Sequence, residues 1–142
     1  MKVMLLCGLP GSGKSTWAKA QKATTISSDA IRAELYGSEE AQGDGREVFS
    51  LFYKRAEDAL NNAESIVLDA TNTSRKARSY GIALAKKYNC EVIAVVFTAN
   101  ADVCLKQQLK RTRQVPEFVV RRMAEKWEEP SVEEGFNKII KI

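Results

Sequence analysis

Apolar and polar positions divide the chain into short hydrophobic runs separated by stretches of helical period. Lys2–Leu6 ("KVMLL") is a continuous apolar run that ends at a glycine, and it predicts a central strand buried on both faces. A helix follows from Lys14 to about Lys22. The β-branched Thr24–Ser27 reads as a second strand. A helix that starts at Ser28 or Asp29 and stops at Gly37 comes next. The polar, glycine-rich stretch 38–45 reads as a mobile loop or a frayed helix end. From Arg46 the period turns helical, with Val48, Phe52, Ala56, Ala59 and Ala63 at three- and four-residue steps. Ser65–Thr71 is a buried strand. Ser74 caps a helix that carries Ala77, Gly81, Leu84 and Tyr88 down one side. Glu91–Phe97 is the clearest strand. A helix from about Ala101 to Lys110 follows, then a second helix with Pro116 in its first turn and Pro130 just past its end. The last six residues, "NKIIKI", suit an edge strand.

Alternating strands and helices predict an α/β fold: a doubly wound, mainly parallel sheet with helices on both faces. A chain of 142 residues fits one domain over 1–142. In such sheets ligands bind beyond the carboxyl ends of the strands. The residues to examine are therefore Gly8–Thr16, Ser28–Arg32, Asp69–Ser74 and Thr98–Ala101.

Composition narrows the chemistry. Hydrophobic residues are 44% and charged residues 28% of the chain, so neither a disordered nor a membrane class is indicated. No apolar run approaches the ~20 residues of a membrane-spanning helix, and the N-terminal run is too short for a signal-peptide core. A cytoplasmic protein with no membrane partner is expected. The three cysteines Cys7, Cys90 and Cys104 form no C-x-x-C pair, and their odd number argues against a disulfide framework. They read as small buried hydrophobes. The chain has no histidine, which excludes Ser-His-Asp and Cys-His catalysis and leaves a carboxylate, a lysine or water as general base. The net charge of +4 is unevenly spread. Lys106, Lys110, Arg111, Arg113, Arg121, Arg122 and Lys126 are opposed in their segment only by Glu117 and Glu125. The segment is either an anion-binding surface or a solvated helical face.

Four motifs carry the chemistry. In "GLPGSGKSTWA", Gly8, Gly11, Gly13, Lys14 and Ser15 satisfy G-x-x-x-x-G-K-[ST] between a strand and a helix. Glycines let successive N–H groups converge on one anion, Lys14 reaches the β- and γ-phosphates, and the Ser15 hydroxyl binds Mg²⁺. Gly11, Ser12, Gly13, Lys14, Ser15 and Thr16 are thus the expected nucleotide-binding set. In "SSDAIR", Asp29 and Arg32 share a side of a helix. Asp29 is either a base for an acceptor hydroxyl, with Arg32 beside it on an acceptor phosphate, or a first-turn acid behind a Ser28 cap. In "VLDATN", Asp69 is either an acid that acts on Mg²⁺ or orients the acceptor, or the start of an Asx-turn. In "RTRQVP", Arg111 and Arg113 lie between two helices. There a lid arginine could neutralise the transferring phosphoryl group, unless both are merely exposed.

Taken in order, "GLPGSGKSTWA", "SSDAIR", "DATN" and "RTRQVPEFVV", with the ending "WEEPSVEEGF", resemble the kinase domain of 5′-hydroxyl polynucleotide kinases over nearly the whole chain. The resemblance implies a P-loop kinase fold with a helical lid at about 106–126. It implies transfer of the γ-phosphate of ATP or GTP, with Mg²⁺, to a 5′-hydroxyl end of RNA or DNA, as in nucleic-acid repair. By position, Lys14 and Ser15 match the family's phosphate and Mg²⁺ residues, Asp29 its general base and Arg32 its acceptor arginine. The lid arginine matches Arg111, with Arg113 as the alternative; the neighbouring arginine, Arg113 in the first case, is then free to hold nucleotide or acceptor. Some family members carry the acid one position after Asp69, which leaves its role open. A stand-alone kinase of minimal size, without a phosphatase or ligase module, is expected, and family precedent allows a homo-oligomer. Two other functions compete: a kinase of a small-molecule hydroxyl, and a nucleotide-dependent binding module without transfer.

Overall fold

A computed structural model describes residues 1–38, 45–111 and 114–142. Among them, strands β1 (Lys2–Cys7), β2 (Thr24–Ser27), β3 (Ile66–Asp69), β4 (Glu91–Val96) and β5 (Lys138–Lys141) form one sheet in the order β2-β3-β1-β4-β5. Every neighbouring pair is parallel. The registers Leu5 to Leu68 and Cys7 to Val96 bring the carboxyl ends of the three central strands to one edge.

Strand alternation sorts the core into two layers. Val3, Leu5, Cys7, Ile66, Leu68, Val92, Ala94 and Val96 point to one face. There they pack under α2 (Ser28–Tyr36), α3 (Gly45–Asn61) and α4 (Arg75–Lys87) through Ile31, Val48, Phe52, Ala56, Ile82 and Ala85. Leu6, Val67, Ile93 and Val95 point to the other face, covered by Ala18 and Trp17 of α1 (Lys14–Lys19). Leu9 joins the loop after β1 to α5 (Ala101–Gln108) and α6 (Glu117–Glu125) through Cys104 and Val120. Helices therefore lie on both faces, as the sequence pattern predicts. Gly81 explains how α4 comes so close to the sheet: a Cβ there would sit 3.0 Å from Leu68 and 3.1 Å from Leu5.

Several boundaries and caps differ from expectation. Helix α1 stops at Lys19 rather than Lys22, and α5 at Gln108 rather than Lys110. Ser27, not Ser28, caps α2: its hydroxyl accepts from the Ala30 N–H, and the helix closes at Gly37 with φ 80°. The buried stripe of α4 is Arg78, Gly81, Ile82 and Ala85; it keeps Gly81 of the stripe read off the sequence, with Leu84 and Tyr88 only partly buried at its side. An arginine breaks the apolar period there, and its charge is buried with each of its three nitrogens donating a hydrogen bond inside. Pro116 stands at the N-cap of α6 rather than within its first turn. The glycine-rich stretch 39–44 and Arg113 lie outside the described residues. All three cysteines are free; Cys7 and Cys104 are buried and Cys90 is half-buried. Among the described residues no helix is long and apolar enough to cross a membrane.

Candidate active site

The segments that follow β1, β2 and β3 meet at the carboxyl edge of the sheet and carry Lys14 with Ser15, Asp29 with Arg32, and Asp69. The phosphate loop leaves β1 after Cys7 and turns into α1. Gly11 and Gly13 adopt φ of 85° and 99°, the left-handed region that glycine enters without penalty. At Gly11 a Cβ would also meet the Cys104 carbonyl at 2.5 Å. Only a glycine lets α5 press against the loop there.

Lys14 folds back over its own loop. Its ammonium donates to the Gly8 and Leu9 carbonyls at 3.0 and 2.9 Å and is 9% exposed. Burial pulls it down to about 8, against the upward pull of Asp69 and Asp29. The charge of Arg111 adds to the depression. Ser15, on the outer side of the same turn, donates its hydroxyl to Asp69 at 2.9 Å. Burial pushes the Asp69 carboxyl up, while the Ser15 hydrogen bond and the Lys14 charge oppose this. Asp29 and Arg111 act on Asp69 as well, with opposite signs. Lys14 and Asp69 are therefore within electrostatic reach of each other, and each is within reach of Asp29 and Arg111.

Asp29 stands in the first turn of α2, and Arg32 donates to it at 2.8 Å. Both side chains are part-exposed, at 34% and 24%, so the pair is open to a ligand. Ser28 faces inward and reaches the Asp69 carbonyl at 3.5 Å, which ties α2 to the end of β3. Thr16 is exposed on α1. In the basic segment, Arg121 is held by Asp102 and Glu117, both at 2.9 Å, so that charge is satisfied on the protein's own surface.

The residues suit a nucleotide phosphate with its metal. Among the described residues the buried Ser12 hydroxyl has no partner, and a Cβ on Gly13 would meet nothing within 4 Å. Among the described residues no group of three or more Asp, Glu or Cys side chains gathers as a metal cage. Ser15 and Asp69 offer two oxygens, which fits Mg²⁺, an ion usually held by one or two protein oxygens together with substrate phosphates.

Sequence reading missed the support behind Asp69. Arg78, with no exposed surface, donates from Nε and Nη2 to Glu134 at 2.8 and 3.2 Å and from Nη1 to the Asn72 carbonyl at 2.9 Å. Asn72, with φ 47°, donates from Nδ2 to the Leu6 carbonyl at 2.7 Å, and the Thr71 carbonyl accepts from the Gly8 N–H at 3.0 Å. Glu134 closes a 3-10 turn, Val132–Glu134, and accepts from the Ser131 N–H at 2.8 Å. The charge inside an apolar helical period was the available signal.

Comparison with known proteins gives the same outline. The family described as "AAA domain" matches residues 3–130. The bifunctional polynucleotide phosphatase/kinase of Schizosaccharomyces pombe is 25% identical over 99% of this chain and 33% of its own. The transcription factor bHLH140 of Arabidopsis thaliana is 34% identical over 97% of this chain and 15% of its own. The L-seryl-tRNA(Sec) kinase of Methanococcus maripaludis is 27% identical over 90% of this chain and 53% of its own. The chain thus spans about half or less of the length of these relatives. Among solved structures, a chain of the Pnkp1/Rnl/Hen1 RNA repair complex shares the fold with a TM-score of 0.77 at 20% identity, over 88% of this chain and 43% of that one.

Proposed function

From the premise that this chain belongs to the AAA domain family and has a P-loop kinase fold, we propose that it transfers the γ-phosphate of ATP or GTP to the 5′-hydroxyl end of RNA or DNA. The observation that carries the reading is the Asp29–Arg32 pair. It is an open carboxylate–guanidinium contact at the end of β2, within electrostatic reach of the phosphate-loop lysine. The kinship with a polynucleotide phosphatase/kinase supports the acceptor class.

In this reading Lys14 leaves the Gly8 and Leu9 carbonyls and turns its charge to the β- and γ-phosphates, beside the loop N–H groups. Mg²⁺, held by Ser15 and Asp69, supplies charge neutralisation at the phosphate oxygens when bound. Asp29 accepts the proton of the 5′-hydroxyl as its oxygen forms a bond to the γ-phosphorus. The bond from that phosphorus to the β,γ-bridging oxygen breaks, and the nucleoside diphosphate leaves. Arg32 pairs with Asp29 and can then hold the acceptor phosphate. Arg111 enters from the segment after α5 and meets the charge spread over the equatorial oxygens. The test is transfer of labelled γ-phosphate to oligonucleotides with a free 5′-hydroxyl, run beside free nucleosides and sugars.

A second reading, a kinase of a small-molecule hydroxyl, draws support from Arg121. Its engagement with Asp102 and Glu117 removes one charge from the surface that would track a nucleic-acid backbone. Activity confined to free nucleosides or sugars would select it.

A further inference from the structure

The fully buried Arg78 carries more than a fold requires. A buried ion pair is weak support for stability, because the cost of dehydrating both charges offsets much of their attraction. An apolar side chain in α4 would complete the helix stripe beside Gly81, Ile82 and Ala85 at no such cost. What an apolar residue could not do is bridge. One planar guanidinium grips both oxygens of Glu134 and leaves Nη1 to donate to a backbone carbonyl, that of Asn72.

Asn72 belongs to the turn after β3, and that turn touches the phosphate site at three points. Asp69 receives the Ser15 hydroxyl. The Thr71 carbonyl receives the N–H of Gly8, where the phosphate loop begins. The Asn72 amide reaches back to the Leu6 carbonyl, two residues before that glycine. Asn72 holds a left-handed backbone, φ 47°, a turn conformation that asparagine tolerates better than most side chains. Glu134, in turn, is fixed by the Ser131 N–H and lies beyond residue 130, where the family match ends.

We propose that Arg78 and Glu134 are positioning residues of the phosphate site: with Glu134 holding its fork, Arg78 fixes the Asn72 carbonyl and so sets the Asp69–Asn72 turn against Ser15 and the entrance of the phosphate loop. They touch no ligand. They act as the hydrogen-bonding shell behind a metal ligand acts, and loss of such partners typically weakens metal binding about 10–100-fold. The proposal rests on the nucleotide-binding reading of the loop and is independent of the acceptor.

The test uses the 142-residue chain and two variants. Arg78→Lys keeps a positive charge for Glu134 but cannot span to Asn72 as well. Arg78→Met/Glu134→Met removes both charges together and leaves neither unpaired. Equilibrium binding of fluorescent ATP and GTP is measured with and without Mg²⁺, beside thermal melting by circular dichroism. The expected result is that both variants melt cooperatively and bind metal-free nucleotide close to the parent level. Both should lose about tenfold or more of the strengthening that Mg²⁺ gives. A folded variant with the parent's Mg²⁺ strengthening overturns the proposal. So does failure of both variants to fold, which would make the pair a folding determinant only. A parent chain that binds no nucleotide would instead remove the reading on which the proposal rests. Absence of transfer to 5′-hydroxyl ends leaves the binding comparison, and what it decides, unchanged.

Discussion

Ser15 and Asp69, 54 residues apart in sequence, meet at 2.9 Å where the phosphate loop faces the end of β3. The contact joins the one loop oxygen expected at Mg²⁺ to a carboxylate that burial pushes toward its neutral form. Replacing Asp69 by Asn, or Ser15 by Ala, should cut Mg²⁺-dependent nucleotide binding at least about tenfold, a loss of the size seen when even outer partners of a metal are removed. Metal-free nucleotide binding should persist. Titration of fluorescent nucleotide against Mg²⁺ reads both quantities.

Gly11 is the position in the loop least able to change. Alanine there would have to keep φ near 85° and push the Cys104 carbonyl away from a 2.5 Å contact. The expected cost is about 1–3 kcal/mol from the backbone conformation alone. Thermal melting of Gly11→Ala should show a lower midpoint, and nucleotide affinity should fall with it. Gly13→Ala meets no neighbour, so its effect should come from φ alone.

The charge of Arg111 lies close enough to Lys14 and Asp69 to lower the pKa of both. If it neutralises the transferring phosphoryl group, Arg111→Ala should lower kcat by about 10³–10⁵, as loss of arginine fingers does. Nucleotide affinity should change much less, because the contact forms with the transition state. Arg113→Ala measured alongside assigns the role: the variant with the larger loss of kcat marks the lid arginine.

Acid should test the Arg78–Glu134 pair. Burial favours the neutral acid of Glu134, but the hydrogen bonds from Arg78 and the Ser131 N–H outweigh it and hold the carboxyl below its ordinary value of 4.5. A depressed folded-state pKa stabilises the fold above the unfolded value, and that contribution is lost as pH falls through the folded one. Melting midpoints should therefore drop steeply below about pH 4.5, and Glu134→Gln should flatten that limb. Arg78→Met alone strands the Glu134 carboxylate and should cost about 3–5 kcal/mol at neutral pH.

The strands and the phosphate loop were legible because they rest on local signals: continuous apolar runs, and glycines before a lysine. The central place of β1 follows from the same signal, since a strand inside a sheet covered by helices on both faces must be apolar on both faces, whereas the order of the other strands does not. The meeting of Ser15 with Asp69, and the nearness of Asp29 to Lys14, depend on loops that only the folded sheet brings to one edge. Sequence could nominate those residues but could not join them. Arg78 was illegible for a different reason. A helical period predicts which side of α4 faces the sheet, and a charge on that side argues against burial. Its partners, Glu134 and the Asn72 carbonyl, lie 56 and 6 residues away, and nothing local announces them. The basic segment divides: the charge of Arg111 reaches Asp69, while Arg121 is paired on the surface.

The central claim is that Asp29 activates a 5′-hydroxyl for attack on the γ-phosphate. The most direct measurement is transfer of labelled γ-phosphate from ATP and GTP to RNA and DNA oligonucleotides bearing a 5′-hydroxyl, with the parent chain and with Asp29→Asn. The account predicts labelled 5′ ends with the parent, and near-complete loss in a variant that still folds and binds nucleotide. Label on free nucleosides or sugars alone, or full transfer by Asp29→Asn, would contradict it.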